Sequence, residues 1–300
     1  MPARIALLQA AALLAVLGNA RLVLAQAPLG APPPEATKVA KGPEGVWDAP
    51  KLTQAPEGVV ASVSAGGLSS SGNSRLIALT GSGAFDSRVG DNGLGASLVG
   101  NYGRSAPPDG DMEPTAENAQ GRLRYDRYLL DEASVFALFT GRHDRFQGLK
   151  FRFNVDPGFK YLFVNRPTTA LWGEVGYDFQ YDIRTDEGRE VRDEDGVLIE
   201  RLEATTTDHS ARVFLGFRHN FNDTTAVSNG IEYLQSFVDS KRYRANYDVL
   251  FTAKVWGDLA LGVGFSARFD NAPLPEKEKL DTSSSLSLVY AYNSATEDAP

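Results

Sequence analysis

The chain has 300 residues, a formal net charge of −8 and no cysteine. The missing thiols exclude disulfides, Cys-ligated zinc and cysteine catalysis, and the acidic balance of mixed charges makes a poor nucleic-acid ligand.

At the start, Arg4 precedes an apolar run from Ile5 to Leu17, and Ala25-Gln26-Ala27 fits a small-x-small cleavage site. The run is short for a membrane-spanning helix, and Arg21 follows it closely. Residues 1–27 therefore read as a secretory signal peptide. Its removal takes away two arginines and no acid and leaves a charge of −10. Residues 28–57 are rich in Pro, Ala and Gly and read as a disordered or extended leader.

From Gly58 the pattern changes to alternation with period two, the signature of β-strands whose successive side chains point to opposite faces. Twelve such segments follow: 58–69, 74–87, 92–104, 116–129, 132–144, 149–164, 168–184, 205–220, 224–238, 241–256, 258–270 and 281–293. The sixth is the clearest. In "LKFRFNVDPGFKYLF" one face carries Leu149, Phe151, Phe153, Val155, Phe159, Tyr161 and Phe163, and the other Lys150, Arg152, Asn154, Asp156 and Lys160. Soluble strands average about five or six residues, whereas a tilted bilayer-crossing strand needs roughly nine to eleven. The expectation is an all-β, transmembrane, antiparallel up-and-down barrel of about twelve strands over 58–293, with a short tail at 294–300.

Connections support it. The long ones, near 105–116, 185–204 and 271–280, fall on one side, and the short ones at "GDN", "LDE", "NRP", "FND" and "GD" on the other, the asymmetry of outer-membrane barrels. Aromatic residues fall where an outward apolar band would meet two interfaces: Phe151, Phe153, Phe179 and Tyr181 toward the long-loop side, Tyr161, Phe163, Phe217, Tyr290 and Tyr292 toward the other. Two features strain the pattern. Pro157 cannot donate to a ladder, so a bulge or break is expected at Asp156–Gly158. Arg75 and Arg127 fall on the lipid-facing register near strand ends, where snorkelling keeps the cost small.

Two motifs carry a family resemblance. "GGLSSSGNSRLIALTGSGAF" near the first hairpin, and "GRHDRFQGLKFRFNVDPGFKYLF" with its Asp-Arg-Phe-x-Gly turn before a Gly-Phe-x-Tyr strand, resemble the salt-induced outer-membrane proteins (YdiY-like, domain of unknown function 481). The resemblance covers roughly residues 58–293. It implies a barrel in the bacterial outer membrane and no established chemistry. The last strand, "SLSLVYAY", also resembles the insertion signal read by the barrel-assembly machinery, with Tyr290 and Tyr292 as its paired aromatics. Lipid and lipopolysaccharide are the other expected partners, and no cofactor or metal is expected.

The inward register carries both signs of charge: Arg122, Arg124, Asp126, Arg142, Lys150, Arg152, Glu174, Asp178, Arg212, Arg218, Glu232, Asp248, Lys254 and Arg268. Two readings stand. The basic wall at Arg122, Arg124, Lys150 and Arg152 suits a narrow anion-favouring pore, and the mixed charges equally suit a plug of ion pairs. Strand number does not choose, because about eight strands give a filled interior and sixteen an aqueous channel.

An outer-membrane enzyme would need a nucleophile with a base beside it on the lipid-facing surface. Ser228 has no histidine two residues before it, and His143, His209 and His219 are the only histidines. The acidic loop 185–204 interleaves Arg189, Arg192 and Arg201 with its carboxylates and lacks calcium-loop spacing. It reads as solvated, with loose contact to divalent cations or lipopolysaccharide, or adhesion through the long loops, as further options.

Overall fold

The computed structural model describes residues 58–71, 75–107, 110–166, 168–192, 196–222, 224–256, 259–274 and 278–293. The signal peptide, leader and tail expected from the sequence lie outside these residues.

Twelve antiparallel strands close into one barrel in chain order. They are β1 (Gly58–Ser70), β2 (Arg75–Val89), β3 (Asn92–Ala106), β4 (Glu113–Tyr128), β5 (Ala133–Asp144), β6 (Leu149–Arg166) and β7 (Thr169–Arg184), then β10 (Thr205–Asn222), β11 (Thr225–Ser236), β12 (Tyr243–Trp256), β13 (Leu259–Asp270) and β14 (Leu280–Asn293). The intervening β8 (Glu190–Arg192) and β9 (Leu198–Arg201) form a separate small hairpin within the loop that joins β7 to β10. The barrel closes where Val60 to Ala65 of β1 pair with Asn293 to Leu288 of β14. Closure matters physically, because it leaves no sheet edge with unpaired backbone groups.

The alternation read from the sequence is a burial alternation in space, with an inverted sense. On β7, Trp172, Glu174, Asp178, Gln180 and Asp182 are buried, while Val175 is 55% exposed and Tyr177 and Tyr181 face outward beside it. A soluble sheet buries its apolar face and wets its charged one. Here the apolar face is the outer surface of the whole barrel, including Leu98, Leu123, Phe163, Val213, Ile231 and Val263. A continuous exposed band of this kind is what monomers in water avoid and what a hydrocarbon solvent requires.

Pro157 sits inside β6 without a bulge. It keeps its place opposite Ala137 on β5. On the other side the ladder with β7 runs to Val155↔Phe179 and resumes at Gly158↔Gly176 in unchanged register. The break is therefore confined to Asp156 and Pro157, where an amide hydrogen is missing. Arg75 starts β2 and donates to the Gly110 carbonyl. Arg127, near the end of β4, reaches Asp91 at 3.3 Å.

At the short-turn end the interior is apolar: Leu162, Ala170, Trp172 and Phe214 pack as one buried cluster. Trp172 stands opposite Gly216 in the β7–β10 ladder, and a Cβ at Gly216 would fall inside the indole ring. Glycine is thus required there to admit the ring. Gly216→Ala is expected to cost about 1–3 kcal/mol through overpacking, read as a lower urea midpoint of the refolded barrel. An unchanged midpoint would place the indole elsewhere.

Candidate functional site: the lumen

The inward faces of β4 to β7 and β10 to β12 carry long charged side chains, and closure forces them toward one another. Arg124, inward on β4, holds Asp126 at 2.7 Å and reaches Glu174 on β7 at 2.9 Å. Strands β5 and β6 lie between, so this pair crosses the lumen. Glu174 also accepts from Arg212 on β10 at 2.8 Å, and Arg212 bonds Glu232 on β11 at 2.6 Å. Asn246 of β12 donates to the other oxygen of Glu232 at 2.7 Å. The result is an unbroken polar chain from β4 to β12. Its centre is dry: the Glu174 side chain is 0% exposed and that of Arg212 is 2%.

Buried charges persist only when they are paired, and each charge of this set is, although the Arg124 Nη1–Glu174 Oε1 contact is an ion pair without hydrogen-bond geometry. Arg124 lies 4.1 Å over the Phe136 ring, which adds a cation–π contact in a desolvated setting.

Nearer the long loops a second tier repeats the arrangement. Arg152 grips Asp182 with two bonds of 2.7 Å. Arg244 on β12 reaches Asp178 on β7 at 3.2 Å across two intervening strands and also donates to Gln180. Arg268 holds Asp248 at 2.6 Å. Over the mouth, Gln147 from the β5–β6 turn donates to Asp281 of β14 at 3.1 Å.

The opposite wall is built from small residues. Gly262 and Gly264 on β13, Ser285 and Ser287 on β14, Ser62 and Ser64 on β1, Ala78 and Ser82 on β2 and Ser97 on β3 share the inward register. Ser64 and Ser82 bond at 2.6 Å. Short side chains on this wall leave room for the long ones opposite. Cavities remain between the side chains. One of about 90 Å³ lies amid the ion pairs and is lined by Arg122, Arg212, Glu232 and Asp248 among others. The second, about 170 Å³, opens at the long-loop mouth.

The sequence-based candidates thus fall into three groups. Arg122, Arg124, Arg152, Glu174, Asp178, Arg212, Glu232, Asp248 and Arg268 face the interior, with Asp126 and Arg142. Lys150 does not. The register slips between Leu149 and Phe151, so Leu149 is buried at 3% and Lys150 turns to the exposed surface. Lys254 keeps the inward parity but stands exposed at the short-turn rim, beside another register shift before Trp256. Neither lysine is part of the lumen. Sequence reasoning passed over Asp182, Arg244 and Lys160, although their parity matches residues it named.

Outside, Phe151, Phe153, Tyr161, Phe163, Tyr181 and Tyr290 are each more than a third exposed, and Phe179 and Phe217 are half-exposed. Tyr292 stands opposite Ala61 in the ladder, and its side chain lies outside the described residues. Ser228 pairs in register with Arg218 and so shares the inward face. His219, one residue on, points outward and bonds Thr169 Oγ1 at 2.8 Å. The barrel wall separates this serine from that histidine. His209, also outward, bonds the Tyr177 hydroxyl and lies 5.5 Å from the Phe179 ring. In the same loop Arg201 of β9 reaches back to Asp186 at 3.2 Å, and Arg192 pairs with Glu190 within β8 at 2.5 Å.

No curated protein matches the chain. Among solved structures it is similar to the NanC porin, at 11% identity and a TM-score of 0.43 over 77% of this chain and 97% of that one. An outer-membrane channel from Pseudomonas putida F1 matches at 13% identity and a TM-score of 0.43, over 84% and 98% of the two chains. The translocator domain of the autotransporter NalP from Neisseria meningitidis matches at 11% and 0.41, over 79% and 88%. The family model described as a protein of unknown function, DUF481, matches residues 63–292, nearly the whole barrel, and the chain belongs to that family.

Proposed function

We propose that the protein is an integral barrel of the bacterial outer membrane whose polar lumen is held nearly shut, so that it passes small solutes sparingly and serves the envelope chiefly as an occluded barrel. The location is supported by the closed wall, the apolar exterior and the aromatic residues near both rims. The occlusion rests on one observation above all, the buried Arg124–Glu174–Arg212–Glu232 chain that crosses the interior. Lipid and lipopolysaccharide are the partners its exterior and loops suit, and the barrel-assembly machinery would insert it.

The test is planar-bilayer conductance of the refolded mature chain. The unchanged protein should show only a small or intermittent conductance, and Glu174→Ala, which removes the hub of the cross-lumen chain, should raise it. A large steady conductance in the unchanged protein would refute occlusion. In that event Arg152→Glu should change ion selectivity, the signature of the anion-favouring pore that is the second reading. Lipid hydrolysis is disfavoured by the opposite facing of Ser228 and His219, and Ser228→Ala should leave any lipase signal unaltered.

A further inference from the structure

The cavity of about 170 Å³ at the long-loop mouth is walled by Arg142, Arg152, Arg184, Arg242, Arg244 and Arg268. Four of these guanidinium groups already hold carboxylates: Asp144 at 2.9 Å, Asp182 at 2.7 Å, Asp178 at 3.2 Å and Asp248 at 2.6 Å. The other two are left over. Arg184 donates to the Glu203 carbonyl at 2.9 Å and has no carboxylate partner among the described residues. Arg242 has only Asp270, at a loose 3.5 Å, and its Nε is buried without a hydrogen-bond partner. An unmet guanidinium donor in a buried place is costly unless something accepts from it.

The rest of the wall is mixed. Lys279 adds a positive charge, Asp182, Asp270, Glu278 and Asp281 add carboxylates, of which Asp182 and Asp270 face Arg152 and Arg242, and Phe146, Leu149 and Leu274 add apolar surface. A cavity of about 150 Å³ is known to hold one benzene ring. Arginine's planar fork suits a carboxylate in two-point contact. We infer that this vestibule binds a small organic anion, a single carboxylate on an apolar body of about one ring, with the charge at Arg184 and Arg242 and the body against Phe146 and Leu274. Its floor is shared with the ion-pair plug, since Arg142, Arg152 and Arg244 line both cavities. The site does not depend on whether the lumen conducts.

Isothermal titration on the refolded full-length chain in detergent micelles tests it, with benzoate, acetate, benzyl alcohol and benzylammonium as probes. Benzoate should bind saturably, acetate and benzyl alcohol roughly tenfold more weakly or worse, and benzylammonium not at all. Arg184→Gln and Arg242→Gln should each weaken benzoate roughly tenfold, while Arg192→Gln, on the loop hairpin, should leave it unchanged. Absence of saturable benzoate binding, equal binding of benzylammonium, or full affinity in both vestibule variants would overturn the site. The four-probe comparison needs only the unchanged protein, so it decides even where a variant refolds poorly. Bilayer conductance reports on occlusion separately: a barrel that conducts freely and still binds benzoate refutes the plug and keeps the vestibule.

Discussion

Arg212→Ala will lower the stability of the refolded barrel by about 3–5 kcal/mol, the cost of leaving a buried charge unpaired. Among the described residues Arg212 joins Glu174 to Glu232. Its removal leaves Glu174 in contact with Arg124, at a position where the carboxylate is fully excluded from solvent. The size of the loss distinguishes a plug from an ornament. Were these pairs surface-like and solvated, the loss would be about 0–1 kcal/mol. A compensated variant sharpens the test. Arg212→Met combined with Glu232→Gln removes one charge of each sign and leaves Glu174 paired with Arg124, and exchanging a buried ion pair for uncharged groups is often close to neutral. Urea unfolding in detergent should therefore rank the unchanged protein and the double variant together, with Arg212→Ala well below both. If Arg212→Ala unfolded at the unchanged midpoint, the interior would have to be wet.

Trp172→Ala should cost about 3–5 kcal/mol, the range for emptying a large buried aromatic site. It should also act on permeation, because Trp172 is 0% exposed and fills the short-turn end with Leu162 and Phe214. The two variants act at different depths. Trp172→Ala removes the apolar seal and leaves the ion pairs, so the conductance gained should be smaller than that of Glu174→Ala, while the stability lost should be similar. Equal conductance in both variants would mean that the seal, not the ion-pair chain, limits passage.

The architecture was legible because one rule governs it. Period-two alternation sustained over twelve segments, with long and short connections taking turns, leaves a barrel as the economical solution, and the strand bounds match closely from β1 to β14. The inward face followed from the same parity, which is why Arg124, Glu174, Arg212 and Arg268 were found. Parity fails where the register slips. Lys150 turns outward because one extra residue at Leu149–Phe151 exchanges the faces, and nothing in "QGLKF" announces it. Partners across the lumen were also illegible. Arg124 meets Glu174 only after β5 and β6 have curved between them, and alternation carries no information about curvature. One signal was present and unused. Trp172 falls among the polar residues of β7, and an indole on the wet face of a strand marks a place where the interior is closed.

The chain lacks cysteine, so single introduced thiols can be read without background. A nitroxide label at Val175→Cys and a free thiol at Ser210→Cys, in the refolded barrel in lipid vesicles, place one probe on the outer face and one in the buried interior. The label at 175 should collide with oxygen dissolved in the bilayer and not with an aqueous nickel chelate, and the thiol at 210 should resist both labelling and water-soluble thiol reagents until the barrel is unfolded. Ready reaction at 210 in the folded barrel would mean a water-filled pore, and a probe at 175 shielded from lipid would mean that the apolar face packs against protein.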